Sequence, residues 1–366
     1  MERVELAYAR HVLHRPGGGF AATDWRGRFV ALSRDEVMAA LAGGPAPGHA
    51  GPLRVAPGTV FSLVSHHGLH RGRAIAGLRG QGAVFVPAVH DLIPLERPDT
   101  TRWLQRRMAI ARMNNVARLA DGVLLFSQAV RTSLAGWLGG QGVAMAPCLV
   151  APLGLDLPPA PPSSQPPYFL CIATIEKRKN HAMLLDAWRR LGQAAPRLLL
   201  VGRRSFGADD ALRLLPTLPM VEERGHCTDH ELAGLLAGAR ALLLPSQAEG
   251  FGIPVAEALA AGTPVIASDI PALREVGRGV PDHLPADDPA AWASVVADYA
   301  RPDSQARTAQ MARMAGWRPA TWAAHFDAVE AFLDTLAPRL IRPANGLPWQ
   351  RPPPSGPTAH RSFPPR

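Results

Sequence analysis

The second half of the chain alternates short apolar runs with longer amphipathic segments. The apolar runs predict buried strands at residues 168–174, 197–201, 241–244 and 264–267. The amphipathic segments predict helices at 181–193, 229–239 and 253–261, with Asn180 and either Thr228 or Asp229 placed to cap the first two. This alternation is typical of a parallel sheet with helices on both faces, which binds ligands at the carboxyl ends of its strands.

The first half shows the same pattern less regularly. Apolar runs predict strands at 83–89 and 123–126, and amphipathic segments predict helices at 102–120 and 129–138. His90 directly follows the first of these strands, so we expect it to point into a ligand cleft. Ser127 follows the second strand and either caps the next helix or takes part in the site.

A proline-rich stretch at 152–167 separates the two halves. It cannot continue a helix and predicts a stiff linker. We therefore expect an amino-terminal domain over 1–151 and a carboxy-terminal domain over 168–337, which fits a chain of 366 residues. The low-complexity segment 338–366, rich in proline and arginine, is expected to be disordered.

Charge and cysteine content narrow the class of protein. The formal charge is +9, and five arginines of the tail supply more than half of it. The remaining basic excess fits a protein that handles anions or touches an anionic membrane, and it is weak support for nucleic-acid binding. The three cysteines are widely spaced without a C-x-x-C pair, which indicates reduced thiols and a cytoplasmic location.

Two glutamates flank a glycine turn in the second half. Glu249 comes after a predicted strand, and two glycines and the start of a helix follow it. Backbone N–H groups and the positive end of that helix favour a phosphate. Glu249 at the mouth can accept hydrogen bonds from sugar hydroxyls, and Glu257, about one turn into the helix, suits the paired hydroxyls of a ribose. The alternative is that both carboxylates are merely solvated.

A second basic segment also links a strand to a helix. Arg178 and Lys179 stand at a predicted helix start, where cations are unfavourable unless an anion joins them. They are suited to hold a diphosphate and to stabilise its departure without a metal ion. The sequence contains no D-x-D motif for a metal-bound diphosphate. The alternative is a solvated run of charges.

These segments resemble family 4 of the retaining glycosyltransferases. The resemblance rests on P-S-x-x-E-G-F-G with a second glutamate eight positions after the first, on the segment EKRKN at 176–180 and on HDLIP at 90–94. It extends from about His66 to about Leu336. It implies an α/β fold of the GT-B type, in which two Rossmann-like domains face each other across a cleft.

The resemblance also implies roles for individual residues. The expected donor-binding residues are Glu249, Gly250, Phe251, Gly252, Ile253, Glu257, Arg178 and Lys179. The expected catalytic residues are His90, Glu249, Arg178 and Lys179. No metal ion or cofactor is expected, and one of the histidines at 66, 67 and 70 is expected to line the acceptor side.

The implied activity is transfer of a hexose with retention, with mannose from GDP-mannose as the first choice. The acceptor would be a glycan or lipid-linked glycan in surface polysaccharide synthesis, at the inner face of the membrane. Three alternatives remain open: a UDP-sugar donor, a non-catalytic protein that binds sugar nucleotides or glycans, and, least favoured, a nucleic-acid binder.

Two further features bear on this expectation. The predicted helix 102–120 carries five arginines beside Trp103, so it either touches a membrane surface or packs its apolar side in the core and leaves its basic side solvated. The first recognisable element is helical and starts at Met1. We therefore expect the amino-terminal domain to lack its first strand, which codons upstream would encode.

Overall fold

The computed structural model describes residues 2–15, 17–44, 51–159, 161 and 167–340; for residue 2 and residues 337–340 it describes the backbone alone. The predicted tail beyond residue 340 and most of the second half of the predicted linker lie outside these residues. The predicted domain boundaries remain predictions.

Described strands fall into a hairpin and two parallel sheets. Their bounds are β1 Phe20–Thr23, β2 Phe29–Leu32, β3 Val60–Leu63, β4 Val84–Val89, β5 Val123–Leu125, β6 Cys148–Val150, β7 Tyr168–Ile172, β8 Arg197–Val201, β9 Val221–Arg224, β10 Ala241–Leu244, β11 Val265–Ser268 and β12 Asp282–Leu284. Strands β1 and β2 are antiparallel. The amino-terminal sheet has the order β3-β4-β5-β6 and the carboxy-terminal sheet the order β12-β11-β10-β7-β8-β9, with every pair parallel.

Helices connect and cover the strands. Their bounds are α1 Glu2–His14, α2 Arg34–Leu41, α3 Gly72–Arg79, α4 Ile93–Glu96, α5 Trp103–Leu119, α6 Gln128–Gly140, α7 His181–Leu191, α8 Asp209–Leu214, α9 Asp229–Gly238, α10 Ile253–Ala260, α11 Pro271–Gly277, α12 Pro289–Ala300, α13 Gln305–Met314 and α14 Trp322–Leu340. Among the described residues, none of these helices has the length and apolar character needed to cross a bilayer.

Every strand and helix predicted from the apolar pattern is present, with ends shifted by at most two residues. β10 and β11 are fully buried, as continuous apolar runs predict for central parallel strands. Thr228 forms a capping box with Glu231 at the start of α9. Ser127 caps α6 by accepting a hydrogen bond from the Val130 N–H at 3.1 Å.

Apolar side chains cover both faces of each sheet. Trp188 of α7 and Trp292 of α12 are fully buried on one face of the carboxy-terminal sheet, and α9 and α10 cover the other face. On the amino-terminal sheet, α3, α5 and α6 pack on one face. The other face is covered by α1 together with α14, the last described helix. The last described helix therefore returns to the amino-terminal sheet.

Candidate functional site

Glu249 lies at the carboxyl end of β10, in contact with both predicted cations. Lys179 Nζ donates to Glu249 Oε1 at 2.6 Å, and Arg178 Nη1 lies 3.4 Å from Oε2. The Glu249 side chain is 8% exposed and that of Lys179 is 12% exposed. The structure thus joins two segments that lie about 70 residues apart in the sequence into one buried ionic cluster.

The charge state of Glu249 follows from these neighbours. Burial acts to raise the pKa of this carboxyl, but Lys179 and Arg178 outweigh it and hold the pKa below its ordinary value. Glu249 is therefore ionised at neutral pH. Glu176 Oε1 also lies 2.8 Å from Arg178 Nε, so the two cations face two carboxylates.

Backbone geometry brings the basic segment to Glu249. Residues Lys177–Lys179 form a 3₁₀ turn after β7, and Asn180 follows with a left-handed φ of 61°. The Gln247 N–H donates to the Arg178 carbonyl at 2.8 Å, which joins the two loops. Asn180 does precede α7, but the predicted cap is wrong in its detail: its side chain makes no cap and donates to the Ala286 carbonyl at 2.6 Å.

The glycine turn after Glu249 packs against the amino-terminal half. A Cβ at Gly250 would lie 2.1 Å from the His90 carbonyl oxygen, so only glycine permits this approach. Ser127 Oγ, besides capping α6, donates to the Gly250 carbonyl at 2.6 Å. The predicted cap is confirmed, a role of Ser127 in the site stays a prediction, and the ends of β4 and β5 meet the turn.

Gly252 sets the direction of α10. It precedes the helix with a φ of +93°, a conformation that favours glycine, and a Cβ there would also lie 2.6 Å from Leu273. Phe251 packs against the cores of both halves, and Ile253 packs against the amino-terminal core. The positive end of α10 is therefore directed towards the junction of the two sheets.

A cavity of about 610 Å³ lies between the halves beside Glu249. It is lined by residues from the segments 91–97, 128–133, 247–249 and 270–275. Its wall includes the carboxylates of Asp91, Glu96 and Glu275 with the guanidinium of Arg97. Carboxylates, amides and hydroxyls around an open cavity are suited to bind a polyhydroxyl ligand.

Two contacts that the sequence did not predict close one side of this cavity. Glu275 of α11 accepts hydrogen bonds from the backbone N–H groups of Gln128 and Ala129, at 2.7 and 3.0 Å, and so caps α6 of the other half. Arg97 Nη2 donates to Gln247 Oε1 at 2.7 Å. These polar contacts connect the two halves around the cavity.

Glu257 is buried on α10, away from the Glu249 cluster. Its side chain is 5% exposed and forms an ion pair with Arg3 of α1, which also pairs with Asp229. Burial raises the pKa of Glu257, and Arg3 opposes that rise. The predicted ribose-binding carboxylate therefore faces a guanidinium from the amino-terminal half.

His90 lies at the end of β4, with His66 beside it. Its Nε2 donates to the Val64 carbonyl at 2.6 Å, and its backbone N–H donates to His66 Nε2 at 3.3 Å. Burial lowers the pKa of His90. The pKa of His66 is lowered to about 3 by burial and by the nearby His90 and Arg112. Both imidazoles are neutral at pH 7. No group of three metal-binding side chains occurs in the part of the chain that the structure describes.

These buried histidines predict acid sensitivity. The folded pKa of His66 lies below its unfolded value, so between about pH 6.5 and pH 3 the unfolded chain binds the extra proton and stability falls as pH falls. We expect His66→Gln, which keeps an acceptor for the His90 N–H, to lessen the fall in unfolding free energy by up to about 1 kcal/mol per pH unit. Urea unfolding at pH 5 and pH 7.5 measures this; equal pH dependence of the two proteins would contradict it.

A comparison with protein families identifies the half that carries the ionic cluster. Residues 166–301 match the family described as Glycosyl transferases group 1. Residues 166–301 form a group 1 glycosyltransferase domain. This domain contains Arg178, Lys179, the segment 249–253 and Glu257, whereas His90 lies outside it.

Relatives of known function extend the match beyond the group 1 domain. The chain is 29% identical over 248 residues to the serotype-specific mannosyltransferase WbdA of Escherichia coli, covering 61% of this chain and 30% of that protein. It is 31% identical over 145 residues to the O-antigen chain mannosyltransferase RfbU of Salmonella typhimurium, covering 38% of this chain and 40% of that protein. The chain thus matches less than half the length of either relative.

Solved structures show the fold around the group 1 domain to be GT-B. Sucrose-phosphate synthase of Thermosynechococcus elongatus superposes with a TM-score of 0.61 at 19% identity, covering 91% of this chain and 92% of that one. HepE of Anabaena in complex with UDP-glucose gives a TM-score of 0.56 at 19% identity, covering 77% of each chain. The predicted fold class is confirmed. The roles assigned to single residues remain predictions.

Proposed function

We propose that the protein is a retaining glycosyltransferase that transfers a hexose from a nucleotide-sugar to a glycan or lipid-linked glycan. Mannose from GDP-mannose is the preferred donor, because the relatives WbdA and RfbU are mannosyltransferases. Surface polysaccharide synthesis is the proposed setting, since RfbU is described as acting on O-antigen chains.

The observation that carries the proposal is the buried cluster of Glu249, Lys179 and Arg178 beside the cavity. An ionised carboxylate with two cations at the carboxyl end of β10 is out of place in a purely structural core, because burying charge is costly. A nucleotide-sugar offers both complementary groups: hydroxyls for the carboxylate and a diphosphate for the cations.

The cluster would act by redistributing its charges when the donor binds. The diphosphate would attract Lys179 and Arg178 and weaken their hold on Glu249, whose oxygens then accept hydrogen bonds from the hexose. As the sugar–phosphate bond breaks, the cations and the positive end of α10 stabilise the departing diphosphate. Its oxygen can take the proton of the acceptor hydroxyl that arrives on the same face, so no enzyme nucleophile is required.

We further propose that the protein works in the cytoplasm, in peripheral contact with an anionic membrane and without binding nucleic acid. The three cysteines form no disulfide in the structure, which fits a reducing compartment. A lipid-linked acceptor would bring the reaction to the membrane surface.

A donor screen tests the proposed reaction. Thermal shift measurements with GDP-mannose, UDP-glucose and other nucleotide-sugars should identify one that stabilises the protein, because a ligand that binds only the folded state raises the melting temperature. That donor should then release its nucleoside diphosphate on incubation with the enzyme. Stabilisation without turnover would favour a non-catalytic binding protein, and stabilisation by a UDP-sugar alone would exclude GDP-mannose.

Turnover should not require a divalent metal ion. Lys179 and Arg178 supply positive charge for the leaving diphosphate, and the sequence has no D-x-D motif. We expect the rate with the identified donor to stay within about twofold after treatment with a chelator. Loss of activity that Mg²⁺ or Mn²⁺ restores would contradict this proposal.

A further inference from the structure

The beginning of α5 projects from the amino-terminal half. Residues 102–107 are all exposed, with Trp103 67% and Leu104 60% exposed. Further along the same helix, Ala109, Met113 and Val116 are buried and form its packing face. Packing in the core therefore accounts for the later turns of this helix and not for Trp103 and Leu104.

Positive charge surrounds these two apolar side chains. Arg102, Arg106 and Arg107 are exposed, and α5 contains no acidic residue. Among the ion pairs of the described residues, none includes any of these three arginines. Cations at a helix N-terminus oppose the helix dipole, so the placement is unfavourable unless an external anion balances it.

Cation–π contacts extend this surface to the carboxy-terminal half. The Arg107 guanidinium carbon lies 4.8 Å from the ring centre of Trp103. The Arg102 guanidinium carbon lies 4.9 Å from the ring centre of Phe206. Phe206 is 43% exposed and belongs to the other half. We call this set the Trp103 surface: Arg102, Trp103, Leu104, Arg106, Arg107 and Phe206.

We propose that the Trp103 surface docks on an anionic lipid bilayer. Exposed tryptophan and leucine side chains gain by entering the interfacial region, and the unpaired arginines complement anionic head groups. A nucleic acid would also attract the arginines, but the adjacent leucine, which offers no stacking face, favours lipid. The proposal defines the site of the peripheral contact proposed above and does not depend on the transfer reaction.

The Trp103 surface lies close to the cavity. The turn just before it contains Arg97, which contacts Gln247 at the cavity, and Asp99, whose carbonyl accepts from Lys177 Nζ at 3.0 Å. Docking through the Trp103 surface would therefore hold one edge of the cavity near the membrane. A lipid-linked acceptor could then reach the cavity without leaving the bilayer.

Vesicle sedimentation with the full chain tests the proposal. We expect wild-type protein to bind vesicles of phosphatidylcholine with phosphatidylglycerol more strongly than vesicles of phosphatidylcholine alone. Trp103→Ala with Leu104→Ala, and separately Arg106→Gln with Arg107→Gln, should each weaken binding to the anionic vesicles by about tenfold or more. The tail is present in every protein, so its arginines do not affect the comparison.

Matched controls remove residues of the same type elsewhere. Met220→Ala with Met311→Ala removes two exposed apolar side chains of the carboxy-terminal half, and Arg189→Gln with Arg190→Gln removes two exposed arginines of α7. Both should bind as wild type. The proposal would be overturned if variants and controls lost vesicle binding equally, or if both variants bound the anionic vesicles as wild type does. Preferential binding of single-stranded RNA over vesicles would also overturn it. No donor is needed, so failure here would leave the transfer reaction untouched.

Discussion

Replacing Lys179 by glutamine will lower the turnover number by about 10²–10³-fold. The ammonium group lies 2.6 Å from Glu249 and is largely shielded from water, so its electrostatic effect on a departing diphosphate is strong. Glutamine keeps a hydrogen-bond donor but removes the charge. Steady-state kinetics with the donor found by the screen measures this effect.

Lys177→Gln is the matched control for this prediction. Lys177 belongs to the same 3₁₀ turn, but it is half exposed and donates to the Asp99 carbonyl. We expect its turnover to stay within about threefold of wild type. Since removing a partner of a buried ion pair also destabilises the fold, the rate is taken per folded molecule, from unfolding curves of each variant. Similar rates for the two variants would show that Lys179 is structural.

Glu257→Gln will weaken binding of the nucleoside diphosphate by about 10- to 100-fold, because a charge-assisted acceptor becomes a neutral one. The side chain is almost fully buried, so water cannot replace the lost interaction. Isothermal titration with GDP and with UDP measures the affinity. Unchanged affinity for the nucleotide that wild-type protein binds would refute the role of Glu257.

Arg3→Ala separates binding from folding at this position. Arg3 pairs with Glu257. If the Glu257 carboxylate is purely structural, Glu257→Gln and Arg3→Ala should lose similar amounts of stability and keep full affinity for the nucleoside diphosphate. If Glu257 binds the nucleotide, Arg3→Ala instead keeps or gains affinity, because it removes a competitor for the carboxylate. The two variants are then expected to change nucleotide affinity in opposite directions or by very different amounts.

Local sequence patterns predicted the elements that frame the site. Continuous apolar runs predicted β7, β8, β10 and β11, because central parallel strands are buried on both faces. Glu249 and Arg178 belong to the loops after β10 and β7, so both were expected at one edge of the sheet. The structure places them in contact there.

Contacts between distant segments could not be predicted in this way. Glu275 caps a helix of the other half, and Arg3 reaches Glu257 across 254 positions of the chain. Neither residue follows a strand or interrupts an apolar pattern, so no local signal marks it. The same limit applied to Trp103: periodicity showed that the helix has an apolar side, but only the packing shows that its first turns extend beyond the core.

The proposed donor site is tested most directly by following the release of nucleoside diphosphate from the donor, with chelator present, by wild-type protein and by Lys179→Gln. We expect turnover by the wild-type protein and a rate at least about 100-fold lower for the variant. No release from any nucleotide-sugar by the wild-type protein, or equal release by both proteins, would contradict the claim that the Glu249–Lys179–Arg178 cluster is a catalytic donor site.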